Sequence, residues 1–341
     1  MKKIFAALEG GSIESQKKKK MTVTVICATI ILIAVLFLTF LIAQGVALIK
    51  DKTAGSEGEG GGDGAGGGAN AGYVAVEIAD GQLHSGSLVL VNADNEYVFE
   101  DNPEVVSFPT TNRIYGLRDG SLKVNPTALS AFNELMTATY AAVPNANVVV
   151  REAYRSFEDQ AAKHEKNPND ALPAGYSDFH TGMSFELQDG DAWVFINDKS
   201  LNGKYDWLYE NAHKYGFIVR YPDNIPASDT GNNAGKDFAS ITGVSDFSYV
   251  FRYVGIAHAT YIYNNELCLE EYLELLEENY NFGTALSVKG GDGKTYEVYY
   301  TTADDAGEIQ VPSKYAYEIS GNNKSGYIVT VNKSKTVKNT Q

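Results

Sequence analysis

Five histidines are the first candidates for metal or proton chemistry: His84, His164, His180, His213 and His258. No two of them stand at a spacing that would bring paired imidazoles to one metal. His213 falls inside a helical stretch and His258 opens another after Gly255, where surface or packing roles are expected. Other signatures are missing: the chain has no Gly-x-Ser-x-Gly, no Gly-x-x-x-x-Gly-Lys and no His-Glu-x-x-His. Gly60–Gly68 is a low-complexity run with no strand before it and no helix after it, so it is not a phosphate loop. Nothing marks a Ser/His/Asp arrangement. Two cysteines, Cys27 and Cys268, make no disulfide framework.

The elements that must position any site are legible in outline. Ser87–Val91 is apolar and β-branched and predicts a strand. Asn125-Pro126 predicts a helix start, with Leu129, Phe132, Leu135 and Met136 at helical spacing behind it. Asn147–Arg151 reads as a buried strand, Ser156 as the cap of a short helix to Lys166, and Trp193–Ile196 as another strand. Asp206 is expected to cap a helix to about Tyr215, ended by Gly216 and followed by a strand at Phe217–Val219. Tyr249–Val254 predicts a strand. Glu270–Asn279 predicts an acidic helix with Leu269, Tyr272, Leu273 and Leu276 on one face. From about Ser287 short runs of β-formers, Tyr296–Tyr300 and Tyr327–Val331, alternate with turn signals and predict a small β-rich tail.

Charge divides the chain further. The net charge of -15 splits into +4 for residues 1–20, +1 for 21–50 and -20 for the rest. Between the charged ends, Met21–Ile49 carries no charged side chain, and its core Val25–Ala43 is almost wholly apolar. About 20 such residues span a ~30 Å hydrocarbon layer, so a transmembrane helix is expected at 21–49. The lysines Lys17–Lys20 place residues 1–20 in the cytoplasm and the acidic body outside the cell. A cleaved signal peptide is the alternative, but the apolar region is long for one and no clean small-x-small site precedes a mature start. Gly55–Gly72 is a glycine-rich tether with a root-mean-square span of roughly 23 Å. The acidic body would repel phosphate backbones, so no nucleic-acid partner is expected. The expected divisions are a cytoplasmic tip 1–20, the membrane helix 21–49, a linker 50–72, a main domain 73–282 and a β-rich tail 283–341.

Two ordered stretches of the main domain carry a family resemblance. The first is Glu152-Ala153-Tyr154-Arg155-Ser156-Phe157 with Gln160, followed by Ala174 through Glu186. The second holds Trp207-Leu208, Asn211-Ala212, Lys214–Ile218, Arg220-Tyr221-Pro222, Thr242-Gly243-Val244, Phe251–Gly255 and Leu269–Leu273. Over roughly Val148–Glu278 the chain resembles the VanY-type D-alanyl-D-alanine carboxypeptidases, zinc peptidases that trim the terminal D-Ala from peptidoglycan stem peptides. The resemblance implies an α+β fold of the D-Ala-D-Ala carboxypeptidase (hedgehog/DD-peptidase) type, with a central antiparallel sheet. It also implies a zinc site built from a Ser-x-His-x-x-Gly-x-Ala-x-Asp pattern and a Glu-Pro-Trp-His run, whose Glu is the general base.

The chain departs from that pattern where the chemistry lies. Ser177 and Gly182 fit, but Phe179 stands at the first His position and Glu186 at the Asp position. In the second pattern Phe247 replaces the Glu, Ser248 the Pro, Tyr249 the Trp and Val250 the His. Zinc needs about three protein ligands in a catalytic site, and only Glu186 of these positions can coordinate, so no metal and no cofactor is expected. What the resemblance leaves is a substrate-holding set: Arg155, at the family's charge-stabilising arginine, with Tyr154, Ser177 and Thr181 lining the same groove. Trp207, Tyr215, Tyr221, Arg252 and Tyr253 are expected in the core. The reading is a membrane-anchored homologue that binds peptidoglycan stem peptide or another wall ligand with catalysis lost. One alternative is an active enzyme with zinc held by rearranged groups such as His180 and Glu186. In an extended strand, however, His180 would face away from its neighbour Phe179. The other alternative is a structural ectodomain that serves partners through its tail.

Overall fold

A computed structural model describes residues 72–337 except 100–103, 112, 170, 191–192, 230–232 and 246. The expected cytoplasmic tip, membrane helix and nearly all of the linker lie outside the described residues. Among the described residues no helix is long and apolar enough to cross a membrane.

The described residues open with strand β1 (Tyr73–Glu77), then the short strands β2 (Val106–Ser107), β3 (Gly116–Leu117) and β4 (Lys123–Val124). Helix α1 (Pro126–Ala142) starts as expected, with the Asn125 side chain accepting from the Thr127 and Ala128 amides and Pro126 at the first helical position. Its buried face is Ala128, Phe132, Leu135, Met136 and Thr139, with Leu129 only partly buried at its margin. Next come β5 (Val148–Glu152), α2 (Phe157–Lys166) capped by Ser156, β6 (Ser184–Asp189) and β7 (Val194–Phe195). Helix α3 (Asp206–Asn211) follows, and a 3-10 turn carries it to Tyr215. Its N-cap is Tyr205 rather than Asp206, which lies in the first turn. Gly216 stops the helix at φ 88°, where a Cβ would come within 2.7 Å of the Tyr253 ring. Then come β8 (Phe217–Val219), α4 (Phe238–Thr242), β9 (Val250–Tyr253), α5 (Ile256–Asn264) and α6 (Leu269–Asn279). The last strands are β10 (Leu286–Lys289), β11 (Thr295–Thr301), β12 (Glu308–Pro312), β13 (Tyr315–Gly321) and β14 (Tyr327–Thr336).

The central sheet runs β3-β5-β6-β9-β8, with β7 also on β6. It is mixed rather than wholly antiparallel, because β3 and β5 are parallel. The reason is connectivity: α1 lies between them as a crossover, which returns the chain in the same direction. Phe132 of α1 stacks on Phe185 of β6 at 4.4 Å and packs edge-on to Phe217 of β8, fixing the helix over the sheet.

The tail sheet, β10-β11-β14-β13, does not stand apart. Val288, Val298 and Ile328 share one core with Ile218, Val254, Ile262, Leu273 and Leu276. Strand β12 pairs with β1, from Tyr73 opposite Pro312 to Glu77 opposite Glu308. Packing therefore crosses the expected boundary at 282/283, and the described residues belong to a single compact unit. His258, fully buried, ties the two parts: one ring nitrogen meets the Tyr272 hydroxyl at 2.7 Å and the other the Thr330 hydroxyl at 2.8 Å. Burial pushes this imidazole down to about 3, so it is neutral at physiological pH.

Ser87–Val91 is not a strand. Leu88–Val91 is buried, but the segment joins no sheet. Its carbonyls serve arginines instead: Ser87 O and Val89 O accept from Arg252 Nη2, and Val91 O accepts from Arg220 Nη2. Both guanidiniums are completely buried and both reach Asp178 Oδ1, Arg252 Nη1 at 2.6 Å and Arg220 Nε at 3.1 Å. Arg220 also makes a two-point pair with Glu270 of α6, at 3.0 and 2.8 Å. Ser184 of β6 donates to Asp178 Oδ2. Two cations and two anions thus close a neutral buried network that joins β6, β9, the end of β8, α6 and the 87–91 segment.

Replacing Asp178 by Asn should cost about 3 kcal/mol or more, because two buried guanidiniums lose their shared counter-charge. Burial pushes the Asp178 carboxyl up, but Arg252 and Arg220 pull harder and hold it below its ordinary value. Its folded pKa therefore lies below its unfolded one. The stabilisation is present in full above about pH 4 and is lost as pH falls through the folded value. Urea denaturation between pH 7 and pH 2 checks this. The gap between the native chain and Asp178→Asn should narrow below about pH 4, whereas a constant gap would contradict it.

Candidate functional site

Register across the central sheet lines up the positions that matter. Glu152 of β5 stands opposite Glu186 of β6, and Glu186 stands opposite Val250 of β9. The pairing shifts between Val150 and Glu152, so Arg151 sits in an irregularity of the ladder. Such an irregularity re-aims side chains. Arg151 Nη1 lies 2.6 Å from Glu186 Oε1, while Glu152 meets Arg155 at 2.9 Å and Lys163 of α2 at 3.0 Å. Burial lifts the Glu186 carboxyl above its usual range although Arg151 pulls it down. Burial also lifts Glu152, but Arg155 and Lys163 outweigh it and the carboxyl is lowered.

Of the replaced positions, Phe179, Phe247, Tyr249 and Val250 are occupied by packing. Phe179 lies under the Arg155 guanidinium, whose Cζ is 4.5 Å from the ring centre. Val250 is fully buried in the core. Phe247 packs 5.3 Å from Tyr249, and Tyr249 stacks on Phe195 at 3.7 Å. Glu186 alone has a metal-binding atom, and Arg151 holds it. His180 does not replace the missing ligand. Residues Asp178–Thr181 form a 3-10 turn rather than an extended strand, because Asp178 must turn inward to meet Arg220 and Arg252. In that turn His180 is fully buried. Its Nδ1–H donates to Arg155 O at 2.7 Å, and its Nε2 accepts from the Gly175 amide at 3.1 Å. The lone pair that could bind a metal is thereby used, and burial lowers the imidazole pKa and keeps the ring neutral. Among the described residues no three His, Cys, Asp or Glu side chains form a group that could hold a metal. The donor set does not fit zinc.

The expected substrate-holding set is only partly assembled. Arg155 is 6% exposed, and its guanidinium is engaged by Glu152, Gln160 and the Phe179 face. It is a buried structural ion pair rather than an open fork. Tyr154 is half-buried beside it. Ser177 is buried, and its carbonyl accepts from the His180 amide. Thr181 donates to Asp178 O and lines a cavity of about 350 Å³ with Asp80, Tyr97 and Asn125. Sequence reasoning missed Arg151, Trp193 and Phe195. The available signal was two charges in succession, Arg151-Glu152, at the end of an apolar strand. Of the other histidines, His213 is also buried and stacks on Tyr263 at 4.1 Å.

Removing Arg151 strands a buried carboxylate and should cost about 2 kcal/mol or more at pH 7. The folded pKa of Glu186 lies above its unfolded one, so its contribution is full below about pH 4.5 and fades as pH rises through the folded value. The cost of Arg151→Ala should therefore be larger at pH 8 than at pH 4.5, and Glu186→Gln added to it should recover part of the loss. Thermal unfolding of the single and double variants measures both effects. An equal cost at the two pH values would refute the coupling.

Comparison with known proteins places this geometry. Residues 121–233 match the family model described as VanY, D-alanyl-D-alanine carboxypeptidase. A D-alanyl-D-alanine carboxypeptidase of Enterococcus faecium is 30% identical over 260 residues, covering 74% of this chain and 78% of its own length. A D-alanyl-D-alanine carboxypeptidase of Enterococcus faecalis is 30% identical over 207 residues, covering 57% of this chain and 68% of its own. Among solved structures, the vancomycin-resistance D,D-dipeptidase VanXYg, in complex with a D-Ala-D-Ala phosphinate analogue, superposes with a TM-score of 0.62. That match is 24% identical and covers 76% of this chain and 99% of the other, which establishes a shared α+β fold.

Proposed function

The chain belongs to the VanY family of D-alanyl-D-alanine carboxypeptidases, and on that premise we propose that it is a non-catalytic member that binds peptidoglycan stem peptide. The observation that carries this reading is the chemistry at the family's reaction centre. Phe179, Phe247 and Val250 offer no lone pair, Glu186 is neutralised by Arg151 at 2.6 Å, and the free lone pair of His180 is taken by Gly175. Hydrolysis of an amide in this family rests on a metal-held water and a carboxylate base, and among the described residues no such group of metal ligands is assembled. The shared α+β fold supports a retained peptide groove over the central sheet. Arg155, Tyr154, Ser177 and Thr181 then act as scaffold around the groove, with Arg155 holding Glu152 and the Phe179 ring in place.

The body acts outside the cell, anchored by the apolar segment 21–49 with the lysine-rich tip in the cytoplasm. Support for this is the charge division of the sequence and the wall location of the stem peptide. Protease added to intact cells should digest the body and spare the tip, and full protection of the body would contradict the orientation.

Two measurements on the full-length protein test the function. Calorimetry with a stem pentapeptide ending in D-Ala-D-Ala should show saturable binding. Incubation with the same peptide should release no D-alanine above a protein-free control. Release that a chelator abolishes would overturn the loss of catalysis, and absence of binding would overturn the peptide-binding reading.

A further inference from the structure

Trp193 is the most exposed of the large hydrophobic side chains described, at 56%. Its backbone φ is 57°, in the left-handed region, where a bulky residue is strained and persists only where the surroundings hold it. The holders are two arginines. The Arg151 Cζ lies 4.2 Å from the indole centre and the Arg118 Cζ 4.4 Å from it. Arg151 also lies 5.2 Å from the Phe195 ring, which joins this cluster to the aromatic run through Tyr249.

Two guanidiniums on one indole are within about 9 Å of each other, inside a Debye length at ordinary salt. Their only carboxylate among the described residues is Glu186, and it pairs with Arg151. Arg118 is exposed and its side chain has no hydrogen-bond or ion-pair partner among the described residues. Among the described residues the pair therefore keeps one unbalanced positive charge, on a body that is otherwise strongly acidic. Stacking leaves the edge N–H groups of a guanidinium free while fixing its plane, which suits two-point recognition of a carboxylate. Arg155, the arginine expected for that task, is buried and committed to Glu152 and Gln160.

We propose that Arg118 and Arg151, stacked on Trp193, form a carboxylate-binding clamp that takes the free C-terminus of the bound wall peptide. The identity of that peptide rests on the function proposed above. The clamp itself rests on the Arg–Trp–Arg geometry alone. Arg151 is held in position by Glu186, so the former metal-ligand position serves to aim a recognition group. Arg118 supplies the uncompensated charge, and Trp193 fixes the plane of both.

The test uses the full-length protein carrying Trp207→Phe, which leaves Trp193 as the one tryptophan, since the chain has two. N-acetyl-D-alanine, a simple monocarboxylate, should shift Trp193 emission saturably, and Arg118→Gln should abolish the shift. The stem pentapeptide with a free C-terminus should bind at least about tenfold more tightly than its C-terminal amide, as expected for a charge-assisted contact. Arg118→Gln should erase that difference, and Arg118→Lys should restore only part of it. If the pentapeptide and its amide bind alike and Trp193 stays silent, the clamp is refuted and peptide binding stands. If N-acetyl-D-alanine produces the Arg118-dependent shift but the pentapeptide does not bind, the clamp stands and the peptide reading falls. No response to either ligand overturns both.

Discussion

The interaction on which the described structure depends is the buried network of Asp178, Arg220, Arg252 and Glu270. Both guanidiniums and Asp178 are fully removed from water, which is costly unless each charge finds its counterpart and each remaining N–H an acceptor. The chain meets that demand from five directions. Asp178 comes from the turn before β6, Arg252 from β9, Arg220 from the end of β8 and Glu270 from α6. The carbonyls of Ser87, Val89, Val91 and Tyr253 take the remaining donors. A neutral cluster of this kind stabilises little by itself, but it permits only one arrangement of the elements that supply it.

That constraint reaches the site. To present Asp178 inward, residues 178–181 must turn, and the turn buries His180 and places Phe179 under Arg155. On the sheet, the same register that would set two metal ligands face to face now pairs Glu186 with Val250. An unpaired carboxylate in such a place would be destabilising, and Arg151 supplies the charge that offsets it. Arg151 is thus the cation that Glu186 needs in this fold. Arg151 in turn stacks on Trp193, so the pairing reaches from the core to the surface.

Much of the fold was readable from the sequence because its signals are local. Asn125-Pro126 with apolar residues at helical spacing set α1, Ser156 set α2, and Gly216 set the end of the helical stretch before β8. The readings that failed were decided by distant partners. Ser87–Val91 has the composition of a strand, but its carbonyls meet arginines more than 100 residues away in sequence. Residues 178–181 follow the needs of Asp178, not their own propensity. The mixed central sheet follows from a helix crossover that strand composition does not reveal. The absence of ligand chemistry at Phe179, Phe247 and Val250 was plain from residue types, whereas the pairing of Arg151 with Glu186 and the stacking on Trp193 depend on a shift in strand register, at which the successive charges Arg151-Glu152 only hint.

The central claim is that the family's scaffold persists here around a reaction centre without metal-ligand chemistry. Zinc content per chain tests it most directly, measured by plasma mass spectrometry on the full-length protein after dialysis against zinc and then against metal-free buffer. The account predicts far less than one zinc per chain for the native sequence and close to one for the combined Phe179→His, Phe247→Glu and Val250→His variant. One zinc per native chain, retained through dialysis and stripped only by a chelator, would contradict it.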